Sequence, residues 1–227
     1  MKKVVMGLSG GMDSATLLGM LLNEGVEIHV CHFDYGSKQN VYEKVAVANI
    51  IHYYRLTGLP EIIEHNFDLT PIFSQFKSNL LKSGGEIPEG HYESDQMKLT
   101  VVPGRNTIFA SIMMGLAESI GADGIALGVH SGDHHIYPDC RDSFIKALRK
   151  TVAEATEGQV RVITPLLPED KTSILEIGYN LDPAVPYHLT RTCYKDQPNS
   201  CGKCGSCVER LEAFTNIGKK DPIKYER

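Results

Sequence analysis

A glycine turn near the start of the chain constrains the fold more than any other feature of the sequence. Residues 2–8 form an apolar run typical of a short buried strand. Residues 13–23 follow with helical periodicity and place on one face Ala15, Leu18, Leu21 and Leu22. The segment Ser9–Ser14, Ser-Gly-Gly-Met-Asp-Ser, joins the two directly. A strand that passes at once into a helix begins a crossover unit, so the turn predicts a parallel sheet covered by helices.

The same alternation of strands and helices continues along the chain. We predict strands over 26–33, 61–66, 123–129 and 160–164, and helices over about 40–56, 106–120, 141–156 and 170–180. The apolar positions at helical spacing in two of these helices are Val41, Val45, Ala48 and Ile51, and Ile108, Ile112, Gly115, Leu116 and Ile120. The pattern predicts an α/β fold with a Rossmann-like, doubly wound, parallel five-stranded sheet.

Two segments fall outside this alternation. Residues 82–100 are rich in glycine and polar residues, which predicts a long mobile loop of the kind that often forms a lid. The cysteine-rich end of the chain predicts a small metal-binding segment. We therefore divide the chain into a Rossmann-like domain over 1–185 and a metal-binding C-terminal segment over 186–227.

Composition narrows the class of protein. The 227 residues are 42% hydrophobic and carry a net charge of −5, which is typical of a globular protein and disfavours a binder of duplex nucleic acid. No window approaches the ~20 apolar residues of a membrane-spanning helix. Because the glycines and Asp13 interrupt the first apolar run, we predict no export signal and a cytoplasmic location, where thiols stay reduced.

The glycine turn has the chemistry of a phosphate cradle. Its two glycines allow a ligand to approach the backbone closely, and the N–H groups at the helix start favour an anion. No Walker lysine is present. Asp13 is then either a helix cap or a ligand of Mg²⁺ bound to phosphate. The alternatives are a purely structural capped turn and, with less support, a nucleophile elbow around Ser9.

Four of the six cysteines predict a metal site. Their spacing is C-x7-C-x2-C-x2-C, and they are Cys193, Cys201, Cys204 and Cys207. Four thiolates satisfy tetrahedral Zn²⁺, and with every ligand supplied by protein the site would be structural. An iron–sulfur cluster and a thiol redox pair are the alternatives. Cys31 lies in an apolar strand and is predicted to be a core residue.

Further polar residues cluster near predicted strand ends. Arg105 begins the 106–120 helix and is suited to clamp a phosphate or carboxylate, or else is a solvated helix-start residue. The segment 128–144 follows the fourth strand, where open α/β sheets bind ligands, and we interpret it as a substrate-reading loop. Its polar residues include His130, Asp133, His134, Asp139 and Arg141. Lys171 opens the last predicted helix; alone it would be interpreted as a surface lysine.

The glycine turn resembles the pyrophosphate loop of the N-type ATP pyrophosphatases. With other segments it resembles more narrowly the 7-cyano-7-deazaguanine synthases, in order and over nearly the whole chain. The segments are Ser9–Ser14, Phe33-Asp34-Tyr35-Gly36, Val102-Pro103-Gly104-Arg105-Asn106, Tyr137-Pro138-Asp139-Cys140-Arg141, Thr192-Cys193-Tyr194 and Cys201-Gly202-Lys203-Cys204-Gly205-Ser206-Cys207.

This resemblance implies a fold, a reaction and a set of roles. ATP would adenylate 7-carboxy-7-deazaguanine, and ammonia would displace AMP to give the amide. A second ATP would activate the amide oxygen, and loss of AMP would give the nitrile. The implied cofactors are one structural Zn²⁺ per chain on the four cysteines and Mg²⁺ with ATP. No direct nucleic-acid or membrane partner is implied, and a homodimer is left open. The implied catalytic residues are Asp13, Arg105, Asp133 and Lys171; the ATP-binding residues are Leu8, Ser9, Gly10, Gly11, Met12, Asp13, Ser14 and Leu18; the substrate-binding residues are Tyr35, Lys38, Arg105, Asp133, Asp139 and Arg141.

The sequence departs from the family pattern in two places. Ser37-Lys38-Gln39 stands where the family usually has Gln-Arg-His, and His130–Ile136 differs from a Glu-Thr-Asp-type run. Both changes concern the expected substrate pocket. A relative that stops at the amide or activates another carboxylate is therefore the alternative enzyme, and an RNA-binding zinc module is the alternative outside enzymes.

Overall fold

The computed structural model describes residues 1–90, 95–130 and 136–226. The strands are β1 (Lys3–Gly7), β2 (Glu27–Asp34), β3 (Ile62–Asp68), β4 (Gly124–Ala126) and β5 (Arg161–Ile163). The helices are α1 (Met12–Asn23), α2 (Asn40–Arg55), α3 (Thr70–Phe73), α4 (Arg105–Ile120), α5 (Asp142–Ala155), α6 (Lys171–Asn180) and α7 (Gly205–Asn216). Short 3₁₀ helices lie at Asp95–Thr100, Pro138–Cys140 and Tyr187–Leu189.

The five strands form one parallel sheet in the order β3-β2-β1-β4-β5. The register pairs Met6 with Val30 on one side and with Ala126 on the other. The chain leaves β1 in one direction to build β2 and β3, and later returns to the other side for β4 and β5. The point where this order reverses lies between β1 and β4, and open α/β sheets bind ligands at such a point. The predicted fold class is confirmed.

The sheet is buried on both faces, as expected for parallel strands. Along β1, Val4 and Met6 belong to the core beneath α1, α2, α6 and α7, while Val5 belongs to the core beneath α4 and α5. The amphipathic α5 contributes to the second core Ile145, Leu148 and Val152. None of the described helices is long and apolar enough to cross a membrane.

In two helices, α2 and α4, the buried face differs from the one that the sequence predicts. Val41 and Val45 in α2 are 58% and 55% exposed, and the buried face consists of Asn40, Ala46, Val47, Ile50, Ile51 and Tyr54. In α4 the fully buried residues are Ala110, Met113 and Ala117, and the predicted isoleucines lie at the edges of that face. This buried face packs against β1 and β4 and includes two alanines, a preference that apolar periodicity does not reveal.

The segment 82–100 has more structure than the prediction gave it. It contains the 3₁₀ helix Asp95–Thr100, and Ile87 and Met97 pack into the core beside α4. The C-terminal segment contains the unpredicted α7, whose Ala213 and Phe214 join the core of α1 and α6. The division at residue 185 remains a prediction, but the two parts share their hydrophobic cores.

Candidate active site

The glycine turn closes the carboxyl end of β1. Gly10 has φ 80°, and a Cβ there would lie 2.9 Å from Cβ of Ala46 in α2, so glycine is required for this packing. The hydroxyls of Ser9 and Ser14 lie 3.1 Å apart, and the N–H of Gly11 donates to Oγ of Ser9. The N-cap of α1 has no side-chain hydrogen bond. The first-turn N–H groups of α1 are therefore suited to an anion.

A charge network lies beside this turn. Nζ of Lys171, at the start of α6, donates to both carboxylate oxygens of Asp13 at 2.7 Å and lies 3.0 Å from Nε2 of His130. Glu209 of α7 adds a second carboxylate 3.5 Å from the same ammonium. Burial alone would raise the pKa of Asp13, but Lys171 and His130 outweigh it and hold that pKa below its usual value.

A cavity of about 220 Å³ opens between the turn and the ends of β2 and β4. One of its walls is aromatic and aliphatic, with the ring centroids of Phe33 and Phe109 4.2 Å apart and the rings stacked. The aromatic and aliphatic wall is formed by Leu8, Phe33, Tyr35, Phe109, Met113, Leu127, Val129, Tyr137 and Tyr194. Such a wall suits a flat heterocycle with a few polar groups that orient it.

Arg105 places a cation in this cavity. Its guanidinium carbon lies 5.6 Å from the centre of the Tyr137 ring. Burial acts to lower the pKa of Arg105, but the surrounding Tyr35, Tyr137 and Asp139 raise it well above its usual value. Arg105 begins α4, and Oδ2 of Asp139 holds that helix start by accepting from the N–H of Asn106 at 3.0 Å. The charge is therefore fixed in place by the fold and faces an aromatic wall.

A second polar group lies on the other side of the glycine turn. Glu43 of α2 accepts from Oγ of Ser37 at 3.0 Å and from Nε2 of Gln39 at 3.2 Å. The backbone N–H of Arg191 donates to the carbonyl of Gly10, and its guanidinium lies 4.7 Å from the Tyr42 ring centre. Burial raises the pKa of Glu43, and the hydrogen bonds and both arginines, Arg105 and Arg191, oppose that rise.

The four cysteines predicted as ligands come together at the end of the chain. The sulfur atoms of Cys193, Cys201, Cys204 and Cys207, the cysteine cluster, all lie within 4.8 Å of one another, and all four residues are buried. Backbone N–H groups of Cys201 and Cys204 donate to cluster sulfurs at 3.3 Å. Four converging thiols with N–H donors around them fit Zn²⁺.

The C-terminal segment reaches from this cluster into the cavity. Thr192 and Tyr194 flank Cys193, while Ser206 and Glu209 lie on α7, and all four line the cavity. Arg210, fully buried, pairs with Asp221 at 2.7 Å and with the Thr192 hydroxyl at 2.9 Å. The segment is therefore one wall of the site.

The structure brings most of the predicted residues together. Those that line the cavity are Leu8, Ser9, Gly11, Met12, Asp13, Ser14, Tyr35, Arg105 and Lys171. Gly10 belongs to the glycine turn but does not line the cavity. Asp133 falls outside the described residues.

Four predicted residues lie elsewhere. Leu18 is fully buried in the core of α1 and does not line the cavity. Nζ of Lys38 donates to the carbonyls of Gly84 and Gly85, so Lys38 fastens the 82–90 segment. Asp139 caps α4, and Arg141 is exposed before α5, and neither lines the cavity. Their sequence positions gave no indication of which way they face.

Sequence reasoning missed several cavity residues. They are His32, Glu43, Arg191 and Glu209. Arg191 directly precedes the Thr192-Cys193-Tyr194 motif, which was the one available signal. His32 lies in β2, whereas Glu43 and Glu209 reach the cavity because α2 packs on the glycine turn and α7 packs on α6, which no local pattern reveals.

The comparisons with known proteins address the whole chain. The family described as "Queuosine biosynthesis protein QueC" matches residues 3–218. The chain belongs to the QueC family. It is 43% identical over 99% of both chains to a protein from Marinomonas sp. (strain MWYL1) named 7-cyano-7-deazaguanine synthase. A protein of the same name from Pseudoalteromonas atlantica is 41% identical, also over 99% of both chains.

Structural likeness is looser than this sequence likeness. An NMN synthetase from Francisella tularensis is 15% identical with a TM-score of 0.49, over 96% of this chain and 77% of that one. The QueC assignment rests on sequence similarity over nearly the whole chain.

Proposed function

We propose that this protein is an ATP-dependent carbon–nitrogen ligase that converts 7-carboxy-7-deazaguanine and ammonia into 7-cyano-7-deazaguanine. The observation that carries the proposal is one cavity that joins an anion-binding turn, a Lys171–Asp13 pair and a cationic Arg105 in an aromatic wall. The curated relatives that carry the synthase name are aligned over this whole site.

The first half of the reaction is adenylation. The N–H groups of the glycine turn would hold the β- and γ-phosphates, and Lys171 would stabilise the charge that develops as pyrophosphate leaves. Arg105 would orient the carboxylate of the substrate toward the α-phosphate. The acid and ATP then give an acyl-adenylate and pyrophosphate.

The second half uses the same arrangement once more, for a second adenylation. Ammonia attacks the acyl carbon, AMP leaves, and the amide forms with release of a proton. The amide oxygen then attacks a second ATP, pyrophosphate leaves, and loss of AMP and a proton from the adenylated amide gives the nitrile. Each adenylation converts a poor leaving oxygen into a good one, and no enzyme nucleophile is required.

Two metal ions belong to this proposal. Asp13 has the hard carboxylate oxygens that Mg²⁺ prefers and would hold the ion that accompanies ATP, which neutralises phosphate charge. The cysteine cluster would hold one Zn²⁺, which fastens the C-terminal wall of the cavity. The buried thiols fit a reducing cytoplasm.

The test is incubation with the acid, ATP, Mg²⁺ and ammonium, followed by mass spectrometry. We expect two AMP per nitrile formed. The departure at Ser37-Lys38-Gln39, near Glu43, motivates the alternative that the reaction stops at the amide. Accumulated amide with one AMP per turnover would support that alternative, and no acid-dependent AMP release would exclude both.

A further inference from the structure

One polar end of the cavity is not used by the reaction as proposed. It consists of Ser37, Gln39 and Glu43, which follow β2 and begin α2. Ser37 and Gln39 are 1% and 3% exposed, and Gln39 and Glu43 line the cavity. The hydrogen bonds that Ser37 and Gln39 donate to Glu43 fix its carboxylate in one orientation.

This end has more hydrogen-bond acceptors than the protein satisfies. A carboxylate accepts about four hydrogen bonds, and each oxygen of Glu43 receives one from the described residues. Oε1 of Gln39 is buried and has no hydrogen-bond partner among the described residues. Because an unpaired buried acceptor is costly, the set indicates a ligand that brings N–H donors.

The charge around Glu43 suits a neutral donor edge rather than phosphate. Arg105 and Arg191 act on the carboxylate from α4 and from the C-terminal segment, and both line the cavity. A phosphate beside Glu43 would add repulsion between anions, whereas an N–H edge adds none. The glycine turn, on the other side of Gly10, already provides for the phosphates.

The two heterocycles of the reaction differ at this edge. Adenine presents one amino group beside an acceptor nitrogen. The deazaguanine presents a ring N–H beside an amino group, which together supply three N–H donors. Both Glu43 oxygens and Oε1 of Gln39 supply three acceptors.

We propose that Glu43, with Gln39, binds the ring N–H and amino group of the deazaguanine and so determines which acid is adenylated. This inference rests on the proposed function, because it assigns one part of the same cavity to the acid. Glu43 is then a specificity residue that touches the substrate, while Arg105 holds the carboxylate of the acid.

The experiment compares the acid with its analogue that lacks the 2-amino group, in wild type and in Glu43→Gln. For wild type we expect kcat/KM for the analogue to fall by about 10- to 100-fold, the range for a hydrogen bond to a charged group. Glu43→Gln should raise KM for the acid by a similar factor, leave KM for ATP within about threefold, and remove most of the discrimination against the analogue. Glu61→Gln, an exposed carboxylate outside the cavity, is the matched control and should behave as wild type.

Calorimetric binding of both compounds separates this inference from the proposed function. If wild type binds the acid but releases no AMP, the function is wrong while loss of binding in Glu43→Gln still supports the inference. The inference is overturned if wild type binds neither compound, if the analogue binds as tightly as the acid, or if Glu43→Gln raises KM for ATP instead. Gln39→Leu keeps the carboxylate and removes one acceptor, so it gives the same test with a severalfold effect should Glu43→Gln not fold.

Discussion

Single residues of the glycine turn gain their chemistry from partners far along the chain. Lys171 is 158 residues from Asp13, yet its side chain is only 8% exposed and its ammonium donates to both carboxylate oxygens. Two opposite charges held this closely are each costly without the other. Incoming phosphates would offer Lys171 a further anionic partner beside Asp13 and Glu209, which makes this pair the part of the site most sensitive to substitution.

Replacing Lys171 with Met should therefore remove adenylation. Met keeps the length of the side chain but provides no charge to the leaving pyrophosphate, and we expect kcat for AMP release to fall by about 10²–10³-fold. Lys146→Met removes a 71%-exposed lysine paired with Asp142 and should leave kcat unchanged. Comparable AMP release by the two variants would contradict the role given to Lys171.

The sequence indicated that a side chain lies at the cavity where local geometry determines the position of that side chain. Asp13 and Ser14 lie within a turn whose shape follows from its glycines, and Arg105 begins a helix that its periodicity reveals. Glu43 and Arg191 reach the cavity only because α2 and the C-terminal segment pack against Gly10. That packing depends on tertiary contacts, which no window of sequence contains.

The carboxylate of Asp34 holds together the turn between β2 and α2. Asp34 accepts from the N–H of Gly36 at 3.1 Å, from Nδ2 of Asn40 at 2.8 Å and from Nζ of Lys44 at 2.7 Å. Burial acts to raise its pKa, but these donors lower the pKa of Asp34 to about 2. The carboxylate thus orients the chain that carries Ser37, Gln39 and Glu43.

Asp34→Asn should lower stability in a pH-dependent way. Because the folded pKa is below the unfolded value, the charge stabilises the fold above about pH 4 and loses its effect as pH falls toward 2. At pH 7 we expect a loss of about 1 kcal/mol, reduced from the full linkage value because Lys44 is exposed.

Urea unfolding at pH 7 and at successively lower pH measures this difference. Asp95→Asn, in a largely exposed pair with Lys98, is the control and should change stability by less than about 0.5 kcal/mol. A difference between wild type and Asp34→Asn that grows as pH falls would have the wrong sign for this account.

Whole elements were easier to predict than the faces they bury. The alternation of strand and helix patterns correctly indicated all five strands of the sheet and the longer helices within residues 1–185. The buried face of α2 was wrong because Val41 and Val45 are exposed, while Tyr54 and Asn40 are buried. The helix α3 has only four residues, which is too short to show a helical pattern. The helix α7 begins within the cysteine motif, and its sequence is too polar to show one.

On the scale of the whole molecule, the C-terminal segment completes the cleft rather than forming a separate unit. It contacts the glycine turn through the N–H of Arg191 and the carbonyl of Gly10 at 2.7 Å. The buried Arg210–Asp221 pair of this segment holds α7 against the irregular stretch of chain around Thr192. A metal on the cysteine cluster would stabilise both sides of this wall at once, since Cys193 lies between the wall residues Thr192 and Tyr194, and Cys207 lies in α7.

Cys207→Ser should consequently abolish metal binding and activity together, although no thiol takes part in the proposed reaction. Wild type should contain about one zinc per chain, and the variant close to none. Loss of the metal should free α7 and displace Ser206 and Glu209 from the cavity, so AMP release should fall in parallel.

Cys31→Ala is the matched control, because this buried β2 thiol lies outside the cluster. The Cys31→Ala variant should keep its zinc and its turnover at somewhat lower stability. Zinc quantitation and AMP release on the same samples decide the question. Full activity in metal-free protein would show that the wall stands without the ion, and a brown iron chromophore would identify a different metal.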